Sequence, residues 1–195
     1  MSTLIILDNG HGQDTAGKRS PVWADGLQLF EWEFNRDIVK RIAEQLNVLN
    51  IPYVVIVPDT LDVPLKERCR RANSFVKKHN GDAVLFSIHG NAGGGTGWEA
   101  YTSKGRTKAD DIARELYSQA GKEFGRDGWK LRKDMTDGDD DKEADFYILK
   151  HTLCPAILSE NFFMDNEKDC HFMMTEEGRA RIAKIHVETI KKIEL

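Results

Sequence analysis

The chain has 195 residues, 40% hydrophobic and 31% charged, which is enough for one sizeable domain with a real core and short for two. Its 28 basic and 32 acidic side chains leave a net charge of −4 with no basic block, which points away from nucleic acid as a partner. No apolar run is long enough to span a membrane, and Met1-Ser2-Thr3 leads into a strand without a charged leader or cleavage site, so no signal peptide is read.

In chain order, Leu4-Ile5-Ile6-Leu7 reads as a short buried strand running into Asp8-Asn9-Gly10-His11-Gly12. The two glycines are expected to break the strand and free the backbone around His11. A polar loop over 13–28 follows, long enough to expect a functional role. Phe34, Ile38, Ile42, Leu46 and Leu49 give helical spacing over about 32–50, with Glu31 at or just before the start. Tyr53-Val54-Val55-Ile56-Val57 is a second strand, and a helix from Pro64 to about His79 follows it. Ala83-Val84-Leu85-Phe86 is a third strand, delivering Ser87-Ile88-His89-Gly90-Asn91. The glycine-rich stretch 91–97 lacks the Gly-Lys-Ser/Thr ending of a phosphate cradle and opens onto a strand at Trp98-Glu99-Ala100-Tyr101, so it is read as a flexible linker over the site.

A helix is expected over 108–124, then an irregular acidic stretch to 145. Asp137, Asp139 and Asp141 imitate the opening of a calcium loop, but Lys142 stands where glycine is needed and Ile148 where the closing glutamate belongs, so a solvated loop is read instead. Phe146 to Leu149 is read as a short strand. Pro155-Ala156-Ile157-Leu158 is a buried strand ending in Ser159-Glu160-Asn161, and helices follow near 165–174 and over 175–193. Alternating strands and helices predict an α/β, three-layer αβα fold: a mostly parallel twisted sheet of about five to six strands flanked by helices, as one domain over 1–195.

Three buried strands each end in a polar cluster, containing His11, His89 and Glu160. In a parallel sheet those carboxyl ends share one edge, where ligands bind. Two imidazoles and a carboxylate with an open fourth position suit catalytic zinc, and a further unligated carboxylate can act as general base. Glu160 has the position for the base, the apolar run before it raising its pKa. Taken alone, Glu31 reads as a helix-start acid, and Glu33 is an equally good ligand on composition. His79, His151, His171 and His186 have plain readings as a helix end, a loop and two polar helix positions. Cys69, Cys154 and Cys170, odd in number and without Cys-x-x-Cys spacing, read as buried or half-buried thiols of a protein made in a reducing compartment.

Five segments taken in order carry a resemblance. They are Leu7-Asp8-Asn9-Gly10-His11-Gly12; Glu31 with Asn35 four residues on; Leu65, Arg68 and Ala72-Asn73; Ser87-Ile88-His89-Gly90-Asn91; and Pro155 through Asn166. Together they resemble the zinc-dependent N-acetylmuramoyl-L-alanine amidases of the type 3 family, over nearly the whole chain. That family cleaves the amide between the lactyl group of N-acetylmuramic acid and the L-alanine of the peptidoglycan stem. The resemblance implies zinc as cofactor, held by His11, Glu31 and His89. It takes Glu31 over Glu33 because of Asn35, makes Glu160 the catalytic base and sets Asn91 along the substrate cleft. Arg68 and Asn73 fall on positions that look structural. The chain departs from the family at Asn9, where a proline is usual, and at Asn161-Phe162, where Gly-Phe is common. The implied partner is peptidoglycan; charge and hydropathy add no nucleic acid and no membrane span, and a monomer is expected. A lysin made in the cytoplasm and released onto the wall, or a chain trimmed of its signal, fits the missing leader. Two other readings remain open: a zinc peptidase acting on stem or free peptides, and a non-catalytic wall-binding module on the same fold.

Overall fold

The structure, a computed structural model, describes residues 2–136 and 138–193. Six strands form one sheet: β1 (Leu4–Asn9), β2 (Tyr53–Val55), β3 (Ala83–Asn91), β4 (Trp98–Thr102), β5 (Lys142–Glu143) and β6 (Ala156–Phe163). Their order across the sheet is β2-β1-β3-β6-β4-β5. The pairs β1·β2, β1·β3 and β3·β6 are parallel, while β4 runs antiparallel to β6 and carries β5 at the edge. Six α-helices flank the sheet: α1 (Glu31–Val48), α2 (Leu65–Lys78), α3 (Lys108–Phe124), α4 (Tyr147–His151), α5 (Glu167–Met174) and α6 (Glu176–Ile193).

The unbroken apolar runs of the central strands make sense once both faces are covered. Ile5, Leu7, Val84, Phe86 and Ile157 pack into one core with residues of α1, α3, α5 and α6, including Phe34, Leu116, Cys170 and Ile182. The alternate positions Leu4, Ile6, Leu85, Ala156 and Leu158 pack into a second, smaller core with residues of α2 and α4, including Cys69, Val76 and Ile148. The period of two along each strand thus feeds two cores, giving the expected αβα layering. All three cysteines are free and buried.

Two expectations are corrected. Phe146 to Leu149 is not a strand: 147–151 form α4, with Ile148 and Leu149 buried and Thr152 Oγ1 donating to the Ile148 carbonyl at 2.6 Å. A four-residue apolar string carries too little periodicity to separate the two conformations. Nor is the 91–97 loop a free linker. The Gly93 and Gly94 amides donate to Asp165 Oδ2 at 2.7 and 2.8 Å, and Thr96 Oγ1 and the Gly97 amide donate to the buried Asp169. Of the failed calcium-loop match, Asp137 lies outside the described residues, and the buried Asp141 accepts from Thr102 Oγ1 at 2.7 Å.

Candidate active site

Because β1 and β3 pair in parallel with Asn9 opposite Ile88, both run out at the same edge of the sheet. His11 sits just past that edge with φ +62°, a left-handed conformation that non-glycine residues adopt only at a cost. Two guanidinium groups grip its carbonyl: Arg36 Nη1 donates at 3.0 Å and Arg68 Nη2 at 3.4 Å. Arg68 is itself buried, donating to Asp8 Oδ1 and the Asn9 carbonyl, both at 2.7 Å, and to Asp62 Oδ1 at 2.8 Å. The flanking glycines serve close approach rather than the turn. A Cβ on Gly10 would run into the His89 imidazole, and one on Gly12 into the backbone at Leu61–Asp62.

Glu31 opens α1 and is fully buried, whereas Glu33 on the next face is exposed. One oxygen, Oε1, lies 3.3 Å from His11 Nε2 and 3.2 Å from His89 Nδ1 and also accepts from the Gly90 amide at 3.3 Å. The two imidazoles meet edge to face with centroids 5.0 Å apart. Burial works against charge on Glu31, but hydrogen bonds from His11 and His89 outweigh it and hold the carboxyl well below the usual carboxylate range. The other oxygen, Oε2, makes no hydrogen bond; its charged neighbour is Lys18, whose Nζ is 3.7 Å away. Asn35 Nδ2 donates to the Gly10 carbonyl at 3.0 Å, tying α1 to the turn that carries His11.

Glu160 stands beside His89 across the β3·β6 pair and beside Glu99 across β4·β6. Its Oε2 is buried without a partner, and desolvation, with the Glu31 and Glu99 charges adding to it, pushes its pKa up to about 7. His11, His89 and Glu160 open into one cleft of about 410 Å³, which Lys18, Leu65, Phe146 and Tyr147 also line. Asn91 does not reach into that cleft as expected. Its Nδ2 donates to Glu99 Oε1 at 2.7 Å and its Oδ1 accepts from the Ala92 amide at 2.8 Å, so the whole amide is engaged. Arg132 and Lys142, each 2.6 Å from Glu99 Oε2, complete that cluster.

The structure therefore brings together His11, Glu31, His89 and Glu160, with Asn91 bonded to Glu99, the cross-strand neighbour of Glu160. The sequence reading passed over Lys18, Arg36 and Glu99. For Lys18 and Arg36 the available signal was their nearness in sequence to the long loop and to Glu31. His186 is also corrected: it is fully buried rather than polar-facing, with Nε2 2.9 Å from Ser159 Oγ and Nδ1 2.8 Å from the Ile182 carbonyl.

The His11–Glu31–His89 group, with candidate ligand atoms all within 4.8 Å of one another, is the kind of site a metallohydrolase uses. Comparison with known proteins agrees: the model of the N-acetylmuramoyl-L-alanine amidase family Amidase_3 matches residues 5–192. The chain belongs to this family. Among its relatives in the family, the endolysin of Bacillus phage SPP1 is 31% identical over 203 residues, covering 99% of this chain and 66% of the phage protein. The N-acetylmuramoyl-L-alanine amidase CwlM of Bacillus licheniformis is 28% identical over 96% of this chain and 67% of its own length. This Amidase_3 chain thus spans about two thirds of those relatives. Its fold matches the crystal structure of an N-acetylmuramoyl-L-alanine amidase from Clostridium difficile 630 with a TM-score of 0.79 at 24% identity, over 98% of this chain and 96% of that one.

Proposed function

We propose that this chain is a zinc-dependent N-acetylmuramoyl-L-alanine amidase, hydrolysing the amide between the lactyl group of N-acetylmuramic acid and the L-alanine of the peptidoglycan stem. In this reading residues 1–195 form one catalytic domain that acts as a monomer on the cell wall, in the manner of a lysin. Among the described residues no helix is long and apolar enough to cross a membrane. The observation that carries the reading is the half-buried Glu160, with one carboxylate oxygen buried and unpartnered, standing in register with His89 of the His11–Glu31–His89 cluster.

The donor set fits zinc on the evidence of its own atoms. One buried carboxylate oxygen lies at nearly equal reach of two imidazole nitrogens, and both imidazoles open into the cleft. His11, Glu31 and His89 would hold the ion. When bound, zinc supplies the Lewis acidity that activates a water and polarises an amide carbonyl. Glu160 accepts the proton of the attacking water and returns it to the departing alanine nitrogen. Its raised pKa suits both halves of that exchange, because a carboxyl near neutrality gives up and regains a proton at comparable cost. The Arg36 and Arg68 grip on the His11 carbonyl keeps the first imidazole aimed at the cleft. Asn91 acts through Glu99, which it holds next to Glu160.

The test is mass spectrometry of purified peptidoglycan digested with zinc-loaded protein beside a chelated control. Free stem peptides beginning with L-alanine, absent from the control, are expected. Cleavage inside the stem would replace the amidase by a peptidase, and binding without products would leave a wall-binding module. Glu160→Gln is expected to lose about 10²–10⁴ in rate while retaining zinc, the usual weight of general acid–base catalysis.

A further inference from the structure

The cleft holds two cations, and only one of them is spent on the fold. Arg68 is buried, with its donors committed to Val63, Asp8, Asn9, Asp62 and His11. Lys18 differs. Among the described residues its ammonium makes no hydrogen bond, and it has one loose ion pair, 3.7 Å from Glu31 Oε2. Its side chain is 41% exposed and lines the cleft, close enough to Glu160 for its charge to be felt there.

The backbone, by contrast, is fixed. The Lys18 carbonyl accepts the Glu31 amide at 3.0 Å, and the adjacent Arg19 forms an antiparallel bridge with Phe30. Lys18 is therefore anchored beside the start of α1 while its long side chain stays free to move. A divalent cation on Glu31 would weaken the ion pair, because it takes up the carboxylate charge and repels the ammonium. The amine then faces the cleft as a cation without a partner, in the same cleft that His11, His89 and Glu160 line. Stem peptides supply the matching anion. The residue after L-alanine is joined onward through its side-chain carboxyl, which leaves an α-carboxylate, or its carboxamide, within roughly 7 Å of the scissile nitrogen, the span of two extended residues.

We propose that Lys18 is a specificity-determining residue, binding the free α-carboxylate of the second stem residue and so favouring carboxylate over carboxamide stems. This rests on the amidase reading above. The subsite is the part of the cleft lined by Lys18, and its ligand is the anionic group of the stem peptide.

The experiment uses zinc-loaded Glu160→Gln protein, which holds substrate without turning it over. Calorimetry measures its binding of a muramyl dipeptide with a free α-carboxylate and of the same compound with a carboxamide. The carboxylate form is expected to bind about tenfold more tightly, the scale of one charge-assisted hydrogen bond. Lys18→Met in that background should abolish the preference, and Lys18→Arg should keep it. In otherwise wild-type protein, Lys18→Met should erase the same preference in kcat/KM. A preference that survives Lys18→Met, no preference in the parent, or binding of neither compound would overturn the proposal. So would loss of zinc from Lys18→Met, measured by elemental analysis, because Lys18 would then be serving Glu31 instead. If wild-type protein releases no alanine-terminated peptides from cell walls, the amidase reading itself falls and this subsite with it. Intact wall hydrolysis with no carboxylate preference removes the subsite alone.

Discussion

The left-handed backbone at His11 costs about 1–2 kcal/mol for a side chain of that size, and the Arg36 and Arg68 hydrogen bonds to its carbonyl offset that cost. His186 presents a different single-residue problem, a neutral imidazole sealed in the core against Ser159, Ile182 and Phe86. Burial pulls its pKa from 6.5 down to about 4. Between those values the unfolded chain binds more protons than the folded one, so stability is lost as pH falls from about 6.5 to 4. Urea titrations should show the wild type losing about 3 kcal/mol more than His186→Gln between pH 7 and pH 4. A parallel loss in both proteins would place the acid sensitivity elsewhere. At this scale the sequence was most legible where a polar residue interrupts an apolar strand, as at His11, His89 and Glu160. For Lys18 and Arg36 it offered no more than nearness to the long loop and to Glu31, because a charged side chain in a loop or on a helix has the same spacing whether it meets solvent or a carbonyl. The choice of Glu31 over Glu33 came from a resemblance; in the structure it is a matter of helix phase, with one facing the histidines and the next facing water.

Among the elements, β6 has the least ordinary backbone. Its register against β3 slips between His89 and Asn91, and Phe162 in the same stretch has φ +69° while fully buried. Rings of Phe124, Trp129 and Phe172, with centroids 5.0–5.1 Å away, hold it there. Left-handed φ costs about 1–2 kcal/mol, and removing a buried Phe ring costs about 3–5 kcal/mol, so packing wins. Phe162→Gly is expected to lose about 2 kcal/mol in denaturant melts, and Phe162→Ala about 4, because alanine forfeits the ring and keeps the strain. That order is the reverse of the usual one inside a strand, where glycine is the worse of the two. An Ala variant more stable than the Gly variant would remove the strain argument. Elements with long periodic signals, such as α1 and α3, could be read from the chain. Those whose identity depends on distant partners could not: α4 rests on the second core, and the 91–97 loop is pinned by carboxylates some seventy residues further along.

For the molecule as a whole, the proposed zinc would bind the folded chain and would have no assembled site in the unfolded one. Zinc at about 100 times its dissociation constant should add about 2.7 kcal/mol. For a chain of this size that is a rise of roughly 5–10 °C in melting temperature, reversed by chelation and absent from a His11→Ala His89→Ala protein. An unchanged melting temperature across that titration would mean that the three side chains do not form a zinc site. The α/β architecture was readable because every central strand is apolar on both faces; the antiparallel β4 and its edge partner β5 were not, since nothing local marks strand direction. The parallel run β1·β3·β6 has one more consequence. His11, His89 and Glu160 lie far apart along the chain and become neighbours only when all three strands have paired, contacts of the slow, non-local kind. On the amidase reading, a nascent chain whose three strands have not yet paired would carry no fraction of the activity, and hydrolytic capacity would arrive only with closure of the sheet.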